Sequence, residues 1–429
     1  MICFTGEKLL LLPTKLNTFT MLVNNTVCLC GYFSAKRSFG LEMLKGWTMK
    51  SYSDADIEEL SSFYMPEFAT FMTRDMKRYS NPIDKPCTLR FEDGPVNFRI
   101  DSLHLWLAPF NLVLYAIEIG FEKIEFNVMT RTINVLRNCN RYNESQNDFI
   151  QTALQPIIDL YNQLTLNNLK PDDNLCAMIE PGNKFKLFQA ISFVEPLEID
   201  NADYLLYDAA TVAKHIPNSL GSNSETYYQH IMDNFSISVF NGWKGLALLD
   251  TYTMLSIDTP EWVINNWKND YFGMIYIYQL FRKVFLYNVN LRYRKRTEDV
   301  EVLESQLDEF DQLYGFNSVS YNFLPNLIND AIEKSLDTRQ DSEQLNKMIS
   351  LEMEKRQQRS EERTNQFLTF LTCLTIFSAI YDFSSLVNES FDFNHLFSNT
   401  MLGFRAVSLL LLLVVAIAYL VVLLRYRKK

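Results

Sequence analysis

The hydrophobic and polar pattern near the C-terminus predicts two membrane-spanning helices joined by a short acidic loop. Residues 406–424 are nineteen consecutive uncharged residues, and at about 1.5 Å per residue they cover a hydrocarbon core of roughly 30 Å. Residues 367–387 form a less apolar stretch, and the loop after it carries Glu389 and Asp392. Basic residues flank the two stretches on their far sides: Lys355, Arg356, Arg359, Arg363, Arg425, Arg427, Lys428 and Lys429. The positive-inside bias therefore predicts a multi-pass protein of the inner (cytoplasmic) membrane with both termini in the cytoplasm.

Upstream of residue 258 the pattern predicts a cytosolic domain that mixes strands and helices. Two alternating runs, 87–91 and 96–100, flank a Glu-Asp-Gly-Pro turn and predict a β-hairpin. Residues 111–121 are an apolar run interrupted by one acid, which suits a buried strand. Residues 126–136 predict a helix and residues 204–207 a short strand.

The chain after residue 258 is predicted to be helical. One run of apolar residues follows the 3-4 spacing of a helix that packs on another helix: Val300, Leu303, Leu307, Phe310 and Tyr314. Residues 326–402 contain neither glycine nor proline. They favour one continuous helix over residues 325–387, about 95 Å long; the alternative is two helices that break near the polar residues 337–344.

Four segments follow from these patterns. Residues 1–48 are predicted to be poorly ordered or to precede the native start, since Met49 would make a natural beginning. Residues 49–258 form the cytosolic α/β domain and residues 259–364 a helical layer and stalk. Residues 365–429 form a transmembrane hairpin with an acidic outer loop and a basic tail. A hairpin of two helices cannot enclose a water path, so any transport requires an oligomer.

Composition and motifs exclude several classes of function. Forty basic and 51 acidic residues give a formal net charge of −11, which disfavours nucleic acid as a partner. The seven cysteines and four histidines lack the spacing of a metal cluster. A phosphate-binding glycine loop and a nucleophile elbow are also missing from the sequence. We therefore expect no enzymatic activity and no firm cofactor.

The first apolar stretch carries a candidate pore lining. At helical spacing one face collects polar and apolar residues in a single stripe: Asn365, Thr369, Thr372, Ile376, Ala379 and Phe383. Polar groups within a span usually face a bundle interior or water, so the asparagine and threonines would be wetted, with Ile376 and Phe383 as constrictions. Ordinary helix packing, with hydroxyls bonded to the preceding turn, would produce the same pattern.

Two charged clusters complete the candidate sites. Asp382, Glu389 and Asp392 would form stacked acidic rings that concentrate cations in an oligomer, or a plain solvated loop. A basic patch follows an aromatic-rich segment and could meet the phosphate of a ligand or of an anionic lipid, although a solvated charged turn is the simpler interpretation. The patch consists of Arg292, Arg294, Lys295 and Arg296.

The stalk, the two C-terminal spans and the basic tail resemble the CorA family of divalent-cation channels. The resemblance is carried by Arg363-Thr364-Asn365, then Leu371-Thr372, then Thr375-Ile376-Phe377, which look like that family's entry into its first span. It implies a homopentameric funnel that conducts magnesium or another divalent cation. The family's Gly-Met-Asn signature is absent, and Glu389-Ser390-Phe391 stands in its place, which puts magnesium selectivity in doubt.

The resemblance extends to divergent CorA-like effectors of type III CRISPR systems, which are thought to respond to a nucleotide-type second messenger. It implies a homo-oligomeric cation channel in antiviral defence, gated by a cytosolic nucleotide-type ligand. The alternatives are a housekeeping magnesium or divalent-cation transporter, and a non-conducting, membrane-anchored sensor or interaction protein.

Overall fold

The computed structural model of the protein describes residues 21–37, 44–138, 146–171, 173–179, 183–194, 202–256 and 259–390. The chain divides into two compact units, Met1–Asn346 and Lys347–Lys429. This division falls inside the predicted stalk. It does not coincide with the predicted segment boundaries after residue 258 and after residue 364. The α/β domain and the helices that follow it therefore belong to one unit.

A nine-stranded sheet forms the centre of the first unit. Its order is β2-β3-β4-β5-β1-β6-β9-β8-β7, and β6 and β9 pair in parallel whereas their neighbours pair antiparallel. The strands are β1 (Leu22–Ser34), β2 (Thr48–Met49), β3 (Lys77–Phe91), β4 (Gly94–Ala108), β5 (Leu112–Glu125), β6 (Lys186–Phe193), β7 (Ser236–Ile237), β8 (Trp243–Leu248) and β9 (Thr251–Ser256). The predicted hairpin is confirmed as β3 and β4, and the predicted buried strand as β5.

The prediction for residues 1–48 is wrong for the segment that forms β1. This strand pairs with β5 on one side and β6 on the other, in the middle of the sheet. Its side chains Val23, Val27 and Leu29 are fully buried. A chain that began at Met49 would lack the strand that joins the two halves of the sheet, so Met49 is not the start of this fold.

Helices cover both faces of the sheet. One face packs on α3 (Phe126–Arg137), α5 (Gln155–Thr165), α7 (Ala202–Thr211) and α8 (Glu225–Phe235), whose apolar residues share one core with the strands. The predicted strand at residues 204–207 is thus wrong, because these residues lie in α7. Its Leu205 and Leu206 are buried against the sheet side of the core.

The other helical elements are α1 (Asp54–Phe63), α2 (Pro66–Thr70), a π-helix (Phe71–Asp75), α4 (Asn147–Phe149), a π-helix (Ile150–Leu154) and α6 (Cys176–Ile179). The capping box at Ser53 starts α1, where the Ser53 hydroxyl accepts from the Asp56 amide and the Asp56 carboxylate accepts from the Ser53 amide.

An aromatic layer covers the opposite face of the sheet. It comprises α9 (Glu261–Asn266), a ten-residue π-helix (Trp267–Tyr276), α10 (Ile277–Lys295), α11 (Val300–Tyr314) and α12 (Phe323–Ser335). Phe272 of the π-helix contacts Trp106 of β4 at 5.8 Å between ring centroids and Phe188 of β6 at 5.0 Å. The predicted helical seam is confirmed, since Phe310 of α11 stacks on Phe285 of α10 at 4.0 Å.

The continuous helix predicted over residues 325–387 is wrong at Leu336 and Asp337. Helix α12 ends at Ser335 and α13 (Thr338–Ser390) begins after two intervening residues. Asp337 has φ of +54°, a left-handed conformation that a continuous α-helix excludes. The alternative of two helices is therefore correct, with the break at the start of the polar segment. Residues 336 and 337 are called the joint below.

The second unit contains the rest of α13, which has 53 residues in all and a length of about 80 Å. It is the one helix in the described ranges that is long and apolar enough to cross a membrane. The second predicted span, the basic tail and Asp392 lie outside the described residues.

Candidate functional site

The apolar part of α13 exposes its side chains on every side. Phe367, Leu371, Ile376 and Phe383 are each at least two-fifths exposed, and none of the most apolar 18-residue window is buried. An exposed apolar surface of this extent needs lipid or protein to cover it. The segment therefore suggests association with a membrane.

The predicted pore-lining residues do share one face of this helix. At about 100° per residue, Asn365, Thr369, Thr372, Ile376, Ala379 and Phe383 lie within about 40° of a common line. We call this line the polar stripe. All six residues are exposed or partly exposed in the described chain.

The threonine hydroxyls of the segment bond to their own helix. Thr369 donates to the Asn365 carbonyl at 2.8 Å, Thr372 to the Leu368 carbonyl at 2.8 Å and Thr375 to the Leu371 carbonyl at 2.7 Å. Such bonds satisfy the hydroxyl protons without a second helix, as a helix in lipid requires. Each hydroxyl oxygen can still accept a bond from water or from another chain.

The predicted acidic residues are not in line with the polar stripe. Asp382 is exposed and lies about 100° around the helix from it, on the side of Thr375. Glu389 lies within the last turn of the helix, and Asp392 is outside the described residues. Asp382 therefore lies on a different face of the helix from the candidate pore-lining residues.

The basic patch ends helix α10 and is partly engaged. Arg292 donates to Glu298 at 2.5 Å and to Gln306 at 2.8 Å, and Arg294 donates to Asn290 at 2.9 Å. Arg296 adopts φ of +50° and closes the helix. Arg292 therefore ties α10 to α11, whereas Arg294, Lys295 and Arg296 are exposed.

The joint is held by a buried polar network that the sequence did not reveal. Arg282 of α10 donates to Glu333 of α12 at 2.6 Å, with both side chains nearly buried at 12% and 10% exposure. Arg339 of α13 donates to the other carboxylate oxygen at 3.0 Å. Lys283 donates to the carbonyl of Leu336 at 2.6 Å. One carboxylate thus joins three helices beside the break.

Further hydrogen bonds in this network hold the start of α13. Lys283 also donates to Asp341 at 2.7 Å. The fully buried Gln279 donates to Asn329 at 2.7 Å, and its carbonyl accepts from Thr338 at 3.4 Å. These bonds hold the first turn of α13 against α10.

A polar group is buried between the sheet and the ten-residue π-helix. Ser102 donates to Glu118 at 2.7 Å, and Nε2 of His104 lies 3.0 Å from the same carboxylate oxygen and 2.9 Å from the serine oxygen. Lys268 of the π-helix is 3.7 Å from the other oxygen of Glu118. Burial raises the pKa of Glu118, but the bonds from His104 and Ser102 and the Lys268 charge outweigh it and lower the pKa to about 2.

This group is not arranged as a nucleophilic relay. A serine–histidine–carboxylate relay uses the two ring nitrogens for different partners, whereas Ser102 and Glu118 meet the same nitrogen of His104. Burial also lowers the pKa of His104. The one sequence signal for this cluster was Glu118, the acid that interrupts an apolar strand.

Arg78 lies beside this cluster and is packed against the π-helix. Its guanidinium lies over the Trp106 ring at 5.3 Å. A Cβ added at Gly273 would come within 2.9 Å of its Nη1 atom, so a larger residue there would make the Arg78 guanidinium shift.

Lys186 is a buried cation in β6. It is 4% exposed and donates to the carbonyls of Ile179 at 3.1 Å and Lys184 at 3.2 Å. Burial lowers its pKa to about 8, although the nearby Asp250 carboxylate opposes the change. The folded chain therefore holds this proton less tightly than the unfolded chain.

We expect the Lys186→Met substitution to remove a pH dependence of stability. Between pH 8 and pH 10.5 the folded lysine is neutral while the unfolded one is still protonated, so the free energy of unfolding rises with pH in this window. The rise amounts to about 3 kcal/mol. Denaturant unfolding of parent and variant across the window measures the difference.

The Lys184→Met variant is the control, because Lys184 is exposed two residues away. Its stability profile should run parallel to that of the parent. If the free energy of unfolding changes with pH in the same way in Lys186→Met and in the parent, Lys186 has the same pKa in the folded and the unfolded chain.

In the described residues, no group of three or more histidine, cysteine, aspartate or glutamate side chains is placed to hold a metal ion. No protein-family model matches the chain, and no curated protein or solved structure is significantly similar to it.

Proposed function

We propose that this protein is a CorA-like, homo-oligomeric cation channel of the inner membrane whose cytosolic domain responds to a nucleotide-type ligand. The observation that carries the proposal is the polar stripe, which sets Asn365, Thr369 and Thr372 on one side of a largely apolar, unburied helix. A helix that faced lipid all round would have no reason to place an asparagine and two threonines on one side. A ring of such helices would bring the stripes together around a water path.

The constrictions of this channel follow from the order of residues along the stripe. Asn365, Thr369 and Thr372 offer oxygen atoms at the cytosolic end, followed by the apolar Ile376, Ala379 and Phe383. Apolar rings gate a pore by excluding water when it is narrow. A small widening of the ring would therefore open the path.

Gating is proposed to start in the α/β domain and to pass through the joint. Helix α13 runs from the joint without interruption to Ser390. A ligand can shift this equilibrium only if it binds the open and closed arrangements with different affinity. The Arg282–Glu333–Arg339 bonds are where such a difference would reach α13.

The test is to measure mass and ion flux on the same preparation of the full chain. Native mass measurement in lipid nanodiscs should give an oligomer, with five copies expected from the resemblance. Proteoliposomes loaded with a dye sensitive to divalent cations should take up magnesium or cobalt when the channel is open. A monomer in nanodiscs would remove the channel hypothesis.

The second candidate is a membrane-anchored sensor that does not conduct. The hydrogen bonds of Thr369, Thr372 and Thr375 to their own helix favour it, because they are also what simple lipid-facing packing would produce. An oligomer without ion flux under any ligand condition would support this alternative. A housekeeping divalent-cation transporter would conduct magnesium without a nucleotide-type ligand.

A further inference from the structure

Three basic residues form a row on α13 just before its apolar segment. Lys355, Arg359 and Arg363 follow one another at intervals of four residues, which places them one above the next on one side of the helix. All three are exposed. We call them the basic row.

The basic row repels itself, because like charges four residues apart destabilise a helix. None of the three forms a salt bridge within the part of the chain that the structure describes. Glu354 and Glu361 are within about 40° of the line of the polar stripe, whereas the row lies about 80° to 160° from it. Glu352 and Glu362 lie on or beside the row, at about 140° and 60° from that line. Positive charge is thus in excess on this side of the helix.

The membrane end of the row is also close to the depth of lipid headgroups. Arg363 precedes Phe367 by four residues, or about 6 Å, Arg359 by about 12 Å and Lys355 by about 18 Å. The headgroup layer on each side of the hydrocarbon core is about 5 to 7 Å thick, and charges act over about 8 Å at physiological salt. If the hydrocarbon core begins at Phe367, Arg363 lies in this layer, Arg359 is within reach of it and Lys355 lies beyond that reach.

We propose that the basic row is a docking surface for the phosphate groups of anionic phospholipids in the cytoplasmic leaflet. The inference rests on the membrane insertion of α13 that the proposed function contains. Guanidinium groups bind phosphate oxygens through two parallel hydrogen bonds, so Arg363 and Arg359 contribute most and Lys355 least. The polar stripe, with Glu354 and Glu361 close to its line, then faces away from the lipid.

The experiment measures which lipids stay with the full chain. The protein is reconstituted in equal amounts of phosphatidylcholine and phosphatidylglycerol, washed in mild detergent, and the retained lipids are identified by mass spectrometry. Phosphatidylglycerol should be enriched on the parent. Because each basic residue near an anionic surface strengthens attraction about fivefold, Arg359→Gln with Arg363→Gln should reduce the enrichment on the order of 25-fold.

Three control variants make the result specific. Glu354→Gln with Glu361→Gln changes two charges on the other side of the helix and should not reduce the enrichment. Arg359→Lys with Arg363→Lys keeps the charge and should retain most of it. Lys355→Gln should have a smaller effect than Arg363→Gln.

Two outcomes would overturn the inference: no phosphatidylglycerol enrichment on the parent, or full enrichment on the Arg359→Gln, Arg363→Gln variant. Flotation with pure phosphatidylcholine vesicles separates this failure from that of the proposed function. A parent chain that floats but shows no lipid preference contradicts only the docking surface. A parent chain that does not float with any vesicle contradicts the membrane insertion itself.

Discussion

Thr372→Phe is expected to reduce ion flux through the reconstituted protein roughly tenfold or more, without changing its oligomer mass. Thr372 is in the middle of the polar stripe, one turn before Ile376. A ring of phenylalanines there would narrow the path and remove the hydroxyl oxygens that water and ions contact. Dye uptake in proteoliposomes measures the flux, and native mass measurement confirms the assembly.

Thr375→Phe is the matched control for this prediction. Thr375 is the same residue type, three positions away, and its hydroxyl bonds to its own helix at a similar distance, 2.7 Å. It lies about 80° around the helix from the polar stripe, so its substitution should leave most of the flux. Equal flux in the two variants would show that the stripe packs against protein or lipid and does not line the path.

Glu333→Ala is expected to destabilise the first unit by about 3 to 5 kcal/mol. The substitution leaves the guanidinium of Arg282 nearly buried, at 12% exposure, without its carboxylate. It also removes the partner of Arg339. An unpaired buried charge costs far more than the salt bridge gains. Denaturant unfolding of the detergent-solubilised chain, followed by tryptophan fluorescence, measures the loss.

Two further variants separate burial from charge pairing at the joint. Arg339→Gln should cost less than about 1 kcal/mol, because Arg339 is 74% exposed and its bond is screened by water. Arg282→Met combined with Glu333→Leu should recover most of the stability, since an apolar pair of similar volume replaces a buried ion pair at little cost. A Glu333→Ala variant as stable as the parent would mean that water reaches Arg282.

The same double variant tests the route of gating. If the joint transmits a ligand signal, a stable Arg282→Met, Glu333→Leu protein should still bind the ligand but respond to it with less flux. The Arg282–Glu333–Arg339 bonds are gone in this variant, whereas the packing of α10 on α12 is kept.

Several elements were determined by the sequence alone. Residues 87–100 and 111–121 gave the hairpin of β3 and β4 and the buried strand β5, because alternation and apolar runs are local properties of a strand. The 3-4 spacing from Val300 to Phe310 gave α11 and its buried face for the same reason. The apolar segment after Asn365, and the face shared by its polar residues, also follow from spacing on one helix.

Other features were decided only by the tertiary structure. The apolar residues of β1 were predicted to lie in a poorly ordered or non-native start, and they acquire a role only between β5 and β6, partners about 90 and 160 positions away. Residues 204–207 have strand-like composition, but packing against the core makes them helical.

The break at Asp337 and the hydrogen-bond network beside it show most directly why the sequence alone does not predict such features. Nothing in residues 325–387 caps or interrupts a helix locally, yet Lys283 binds the Leu336 carbonyl and Arg282 binds Glu333 from a helix some 50 residues earlier. Ion pairs of this kind depend on which helices become neighbours. Periodicity therefore determined which faces are buried, and only the assembled fold decided which buried polar groups meet and where the long helix begins.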